Sequence, residues 1–312
     1  MVKRLAPRDV LGETLVDLGE KNPNIVVLDA DFWPASKIGA FRERFPERFI
    51  EVGIAEQNMM GIAAGLSTVG FTCFASTLCV FCSRRACDQV VTSVCLPRLN
   101  VKIVGLYAGL FVGKNGASHQ ALEDIAIMRS IANMTVVQPA DAIETEQMLR
   151  FAAEYDGPMY LRIGRDPRPR LVPGGYEFRL GKAVTLRKGK DVTLITYGDL
   201  VEDTLTAAEA LAKEGVQAAV INMSSIKPID EDAIVKAAEE TGNIVTIDNH
   251  NIYGGLGSAV AEVLCENMPV RLKRIGVRDV FGKSGTEEQM QAKFGLGAED
   301  FRKEVLAMLN AK

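Results

Sequence analysis

NIVVLDA, residues 24–30, is a short apolar run, rich in β-branched residues, that directly follows an amphipathic helical stretch begun in MVKRLAPRDVLGETL. A run of this length and composition reads as a strand of a parallel sheet. The same kind of segment recurs as VKIVGLYA (101–108), MTVVQPA (134–140), PMYLRIG (158–164), VTLITYG (192–198), VQAAVIN (216–222) and NIVTIDN (243–249), each separated from the next by helical patterns. That alternation predicts an α/β chain built of doubly wound, mainly parallel sheets. Between Asp166 and Lys190 the text changes to DPRPRLVPGGYEFRLGKAVTLRKGK, rich in Pro, Gly and charge. It marks the domain boundary, giving a first domain over 1–170, a linker over 171–190 and a second domain over 191–312.

With 312 residues, 47% of them apolar, the chain is long enough for two domains that each close a core. A net charge of -4 supplies no general basic field, so nucleic acid is not an expected partner. No signal core precedes the first helix and no stretch reaches the length of a membrane span, so the expectation is a soluble, cytoplasmic protein. Five of the six cysteines (Cys73, Cys79, Cys82, Cys87, Cys95) crowd into one segment, where Cys79 and Cys82 form a CxxC within a helix-like run. Without a second Cys or His cluster to complete a zinc set, they read as buried thiols of a reducing compartment, and no metal ligands are expected on this chain.

The segment richest in chemistry is RFIEVGIAEQNMMGIAAGLSTVGFTCFASTLCVFCSRRACDQV (48–90). Glu56 heads a helix whose following residues are almost wholly apolar. Such a carboxylate is either a helix cap or a group held at low dielectric with raised proton affinity. Asp31, in LDADFWPAS, is either a functional carboxylate or a turn cap at a strand end. Phe81 is either a core ring or a stacking platform. His119, one of two histidines, stands in a polar Gly-rich loop, GASHQ, where proton transfer is feasible. The GGLGS in NHNIYGGLGSAVAEVL (249–264) fits either a phosphate cradle on helix amides or tight packing of a turn against a sheet.

Several of these segments together resemble transketolases. GIAEQNMMGIAAGL (53–66) resembles the segment that carries the glutamate facing the cofactor pyrimidine, and ASTLCVFCSRRACDQV (75–90) the stretch that stacks on the cofactor. GKNGASHQALEDIAIMRSIANMTVVQPAD (113–141) is similar to the loop and helix lining the substrate channel, and NHNIYGGLGSAVAE to the C-terminal domain. The likeness runs through nearly all of the chain, in order. It implies a pyrimidine-binding domain followed by a transketolase C-terminal domain. The family's GDG motif, which holds the diphosphate through Mg²⁺, does not occur here. The resemblance is therefore to the C-terminal half of a split transketolase, with thiamine diphosphate as cofactor and the Mg²⁺ ligands on a separate N-terminal subunit, in an α2β2 assembly acting on sugar phosphates of the pentose phosphate type.

The resemblance also assigns roles. Glu56 would hydrogen-bond N1′ of the aminopyrimidine, and His119 would act near the reacting oxygens, as the catalytic pair. Phe81, with Leu78 at the family's neighbouring aromatic position, would stack on the pyrimidine, and Asp31 would lie close to the cofactor. Arg8 in LAPRDV and Arg165 in RIGRD would clamp the substrate phosphate, with His119 also facing substrate. Tyr107 stands where the family has a phosphate-contacting histidine, and Asn115 where it has a hydroxyl-binding aspartate. These departures leave donor and acceptor open, including a sugar with a different anionic end group. The rival readings are the β subunit of a 2-oxoacid dehydrogenase, a fragment of a deoxyxylulose-phosphate synthase, and a non-catalytic subunit that kept the fold.

Overall fold

The computed structural model describes residues 4–311; the first three residues and Lys312 lie outside the described residues. Twelve strands are described: β1 (Ile25–Asp29), β2 (Phe49–Glu51), β3 (Thr72–Leu78), β4 (Val101–Leu106), β5 (Thr135–Val137), β6 (Met159–Ile163), β7 (Val184–Arg187), β8 (Val192–Thr196), β9 (Ala218–Asn222), β10 (Ser225–Lys227), β11 (Asn243–Asn251) and β12 (Arg271–Val277). They form two sheets, in the orders β10-β5-β6-β4-β3-β1-β2 and β12-β11-β8-β9-β7. Within each sheet the pairings are parallel except at one edge, where β10 runs antiparallel to β5 and β7 antiparallel to β9. The α/β class and the two mainly parallel sheets expected from the sequence are thus present.

Each of the seven apolar runs read as strands is one. β1, β4, β5, β6, β8 and β9 are buried along their whole length, which is why their sequences are continuously apolar rather than alternating. The stretch 171–190 differs from a free linker in two ways. Leu171 and Val172 donate their amides to Asp141 Oδ2 at 2.6 and 3.0 Å, and residues 184–187 are the edge strand β7. Its Pro, Gly and charge mark a chain crossing the surface, held at both ends. The second half also returns to the first sheet through β10, and a single body of buried apolar side chains joins residues of both halves.

The site depends on where the strands of the first sheet end. Asp29 closes β1, Leu78 closes β3, Tyr107 follows β4, and Arg165 lies two residues past β6. These four adjacent strands put their carboxyl ends side by side, the place where open parallel sheets bind ligands.

Candidate active site

Glu56 opens the helix Glu56–Thr68, which buries Met59, Met60, Ala63 and Ala64 against the sheet. That packing draws the first turn inward, and Glu56 is only 1% exposed. Of the two readings left open by the sequence, the cap is not formed: the carboxylate accepts from the half-exposed Arg85, with Nη1 2.8 Å from Oε2. The carboxylate thus sits out of water, at the positive end of its own helix, with a guanidinium as its hydrogen-bond partner.

Arg85 arrives there because the chain after β3 is wound as π-helix over Phe81–Arg85 and Val90–Cys95. Such wide turns are rare and recur at functional sites. The Arg85 guanidinium carbon lies 4.2 Å from the Phe81 ring centroid, and the His119 ring meets Phe81 edge-on at 5.3 Å. Ser118 Oγ is 2.9 Å from His119 Nδ1. Phe81, Arg84, Arg85, Ser118 and His119 line an open depression of about 470 Å³. Sequence reasoning brings Glu56, Phe81 and His119 forward but misses Arg85. The signal is present as two consecutive arginines inside an otherwise apolar segment.

A second, larger cavity of about 1100 Å³ lies between the two halves. Tyr107, Asn115 and Arg165 line it, and Arg8 adjoins Tyr107. Arg8 Nη1 donates to Tyr107 Oη at 2.5 Å and to the Ala35 carbonyl at 3.1 Å. The Arg8 and Arg165 guanidinium carbons lie 5.2 and 5.3 Å from the Tyr107 ring centroid. Because Tyr107 Oη accepts from Arg8, its own proton remains to be donated. Among the described residues Arg165 has no hydrogen-bond partner, and its Nε is buried. Arg8, Tyr107 and Arg165 thus gather donors at this end of the cavity, an arrangement suited to an anion.

The opposite wall comes from the second half. Glu287 pairs with Arg168, and burial pushes the Glu287 carboxyl up to about 8 despite that guanidinium. Asp203 is also raised, first by burial, with Arg168 pulling the other way. Neither is foreseen in the sequence.

Asp31 and Leu78 are not among the residues lining these two cavities. Leu78 is buried at the end of β3. Asp31 is exposed, in a left-handed conformation at φ 58°, with its amide donating to Glu51 Oε1 at 2.8 Å. The turn cap considered for Asp31 belongs to Asp29, whose Oδ1 accepts from the amides of Phe32 and Trp33 at 2.5 and 2.8 Å. Burial pushes Asp29 up to about 7 against those two hydrogen bonds.

The GGLGS turn is packed rather than open. The amide of Leu256 already donates to Asp248 Oδ2 at 2.8 Å, and a Cβ on Gly255 would stand 2.3 Å from that same oxygen. His250 is fully buried between the Ala126 amide and the Asn251 carbonyl, a structural position. The cysteines are free thiols. Cys73, Cys79, Cys82 and Cys95 are buried, and burial pushes Cys73 and Cys95 up to about 12.

Residues 3–169 match the transketolase pyrimidine binding domain, and residues 181–301 match the transketolase C-terminal domain. The chain belongs to the transketolase family. It is 44% identical to the 6-deoxy-6-sulfo-D-fructose transketolase subunit of Clostridium sp., over 94% of this chain and 91% of that one. It is 39% identical to one of the subunits of the apulose-4-phosphate transketolase of Phocaeicola vulgatus, over 97% of each chain. Among solved structures, a split gene transketolase described as an inactive beta4 tetramer superposes with a TM-score of 0.91 at 47% identity, covering 98% of both chains. The resemblance read from the sequence, to the C-terminal half of a split transketolase, is borne out: this is the β chain of a split member of the transketolase family. No helix among the described residues is long and apolar enough to cross a membrane.

Proposed function

We propose that this chain is the pyrimidine-binding subunit of a two-chain transketolase that moves a two-carbon ketol unit from a ketose phosphate to an aldose phosphate. Thiamine diphosphate would be shared with an N-terminal subunit that carries the GDG motif and the Mg²⁺ ligands, in an α2β2 assembly. The observation that carries this reading is that the Phe81 ring and His119 line one open depression whose Arg85 also holds the buried Glu56 carboxylate.

The residues fit an aminopyrimidine, with one rearrangement. Glu56 offers a carboxylate held out of water, and Phe81 offers a ring face now attended by Arg85. Arg85 is half-exposed and, among the described residues, held by one hydrogen bond to Glu56 and by the Phe81 face, so it can swing toward solvent to give way to a flat ring. When bound, thiamine diphosphate supplies the carbon nucleophile and the electron sink for breaking the carbon–carbon bond. Glu56 then holds a proton against a ring nitrogen, a task for a carboxylate removed from solvent. His119, with Ser118 orienting its Nδ1 side, donates or accepts protons at the sugar oxygens.

At the other cavity Arg8, Tyr107 and Arg165 bind the terminal anion of the sugar, and Asn115 meets its hydroxyls. Support comes from the two relatives whose names specify a sulfonated and a phosphorylated sugar, both with an anionic end. The test is co-expression with a partner chain containing the GDG motif. Ketol transfer from xylulose 5-phosphate is then assayed with Mg²⁺ and thiamine diphosphate, each chain alone serving as control. Turnover only in the mixture supports the reading. A stable complex inactive with phosphorylated and sulfonated ketoses alike, but active on a 2-oxoacid, would overturn it in favour of the dehydrogenase reading.

A further inference from the structure

The loop between β4 and the helix Asp124–Ser130 carries Tyr107, Asn115 and His119, yet its regular structure is limited to two single turns, Gly113–Asn115 and Ala117–His119, and one antiparallel bridge between Gly109 and Ala121 at its neck. A loop with so few bonds of its own holds a catalytic side chain in place only if something behind it does the holding. That support comes from the second half of the chain. Asn249 on β11 accepts from the Leu110 amide at 2.9 Å and donates to the Ala108 carbonyl at 3.3 Å. The Asn251 amide donates to the Leu122 carbonyl at 2.8 Å, and the Gly285 amide donates to the Gly113 carbonyl at 3.4 Å.

The tie nearest His119 is the next residue. Gln120 is 2% exposed, and its Nε2 donates both to the Leu110 carbonyl within the loop and to the Lys283 carbonyl of the second half, each at 2.9 Å. Its Oε1 is buried without a partner among the described residues, so the amide serves through its two donors. Gly282 allows this: a Cβ there would stand 1.8 Å from Gln120 Oε1. The segment of the second half over residues 282–285 therefore fits the back of the loop closely, and Gln120 is the stitch between them.

We propose that Gln120, seated against Gly282 and Lys283, is a positioning residue that fixes His119 over Phe81, so that the C-terminal half sets the geometry of the substrate loop. The catalytic part of this inference rests on the function proposed above. Gln120 makes no contact with the depression that holds His119, and it acts only through the loop.

The experiment uses the reconstituted two-chain complex with Gln120→Leu, His119→Ala, the double variant, and Gly282→Ala, which disturbs the same seat from the other side. Misplacing a catalytic group by about 1 Å costs roughly a hundredfold in rate. The expected result for Gln120→Leu and for Gly282→Ala is therefore a kcat lowered about tenfold to a hundredfold, with KM for the ketose donor little changed. In the His119→Ala background the further loss from Gln120→Leu should nearly vanish, because both changes remove the same contribution. Equal losses in both backgrounds, or none in either, would overturn the proposal.

Amide hydrogen exchange over residues 109–123 provides a readout that does not need turnover. Both seat variants should speed exchange there while leaving the helix Glu56–Thr68 protected. Unchanged exchange in this loop would overturn the proposal. If the unaltered complex proves inactive with every sugar tried, the function proposed above fails, and the exchange measurement alone decides whether Gln120 holds the loop.

Discussion

Arg85 Nη1 lies 2.8 Å from Glu56 Oε2 while the same guanidinium stands over the Phe81 ring. One half-exposed cation thus touches both the buried Glu56 carboxylate and the Phe81 ring. Replacing Glu56 by Gln keeps an oxygen for Arg85 and nearly the same shape, so the fold and the assembly with the partner chain should survive. The proton function is lost, and kcat should fall by about 10²-fold or more, the usual worth of a positioned acid or base. Steady-state rates of the reconstituted complex, beside its elution volume, check this; near-normal turnover removes Glu56 from the mechanism.

Arg85→Met tests the other member of the pair. It leaves the Glu56 carboxylate buried with no cation, at a cost of about 1–2 kcal/mol, below the figure for a fully buried pair because Arg85 is half in water. Urea denaturation of the chain should show that loss, and Glu56→Gln/Arg85→Met should recover most of it. If the double variant is no more stable than Arg85→Met alone, the two side chains are not coupled.

Asp29 predicts a pH dependence. Its folded pKa of about 7 lies above the value of ~3.9 for an aspartate in water. Between about pH 4 and pH 7 the folded chain keeps a proton that the unfolded chain gives up, so this group's contribution to stability is complete at low pH and is lost as pH rises through 7. Asp29→Asn retains the acceptor for the Phe32 and Trp33 amides and cannot titrate. Denaturation midpoints measured at pH 4, 6 and 8 should therefore fall less steeply for the variant than for the unaltered chain. Parallel curves would show that Asp29 titrates alike in both states.

The anion end of the interdomain cavity gives a test of specificity. Tyr107→Phe removes the acceptor of the 2.5 Å hydrogen bond from Arg8 and, with it, a hydroxyl whose own proton is free to be donated. The KM for a ketose with a terminal phosphate or sulfonate should rise about threefold to tenfold, corresponding to one hydrogen bond of about 0.5–1.5 kcal/mol, with kcat little altered. A ketose without the terminal anion should show no such rise. An equal effect on both donors would place Tyr107 elsewhere in the mechanism.

How far the sequence reveals this arrangement depends on the range of the interactions involved. Seven strands are legible because burial on both faces forces unbroken apolar text, as in VKIVGLYA. β2, β7 and β10 are not: unlike β5, which is as short but wholly buried, each leaves at least one residue partly in solvent, so its text is not continuously apolar. Glu56 is legible because a carboxylate before an apolar helix is locally anomalous. The Gln120–Lys283 contact spans 163 positions and leaves no local trace, since Gln120 reads as one more polar loop residue. The strand-end cap falls on Asp29 rather than on Asp31, because LDAD offers two carboxylates and only the left-handed turn at Asp31 decides between them.

Arg162 links the two halves through groups that are all buried. It donates to both oxygens of Asp124 at 2.7 and 3.2 Å, to Gln138 Oε1 at 2.7 Å, and to the carbonyls of Ala121 and Asn249 at 3.1 and 3.0 Å. Tyr160 adds its hydroxyl to Asp124 at 2.7 Å. Arg162→Met strands the Asp124 carboxylate with that hydroxyl as its only strong donor among the described residues, and removing one member of a buried pair costs about 3–5 kcal/mol. Since Asn249 also bonds Ala108 and Leu110, the same change should loosen residues 108–122 and expose them to protease before the rest of the chain unfolds. Arg162→Met/Asp124→Leu, which removes both charges, should regain much of the stability, because an apolar pair of similar volume carries no desolvation cost. Stability and limited proteolysis measured on the three proteins distinguish the roles: a double variant as unstable as the single would show that Arg162 serves through the Gln138 and Asn249 contacts rather than through its ion pair.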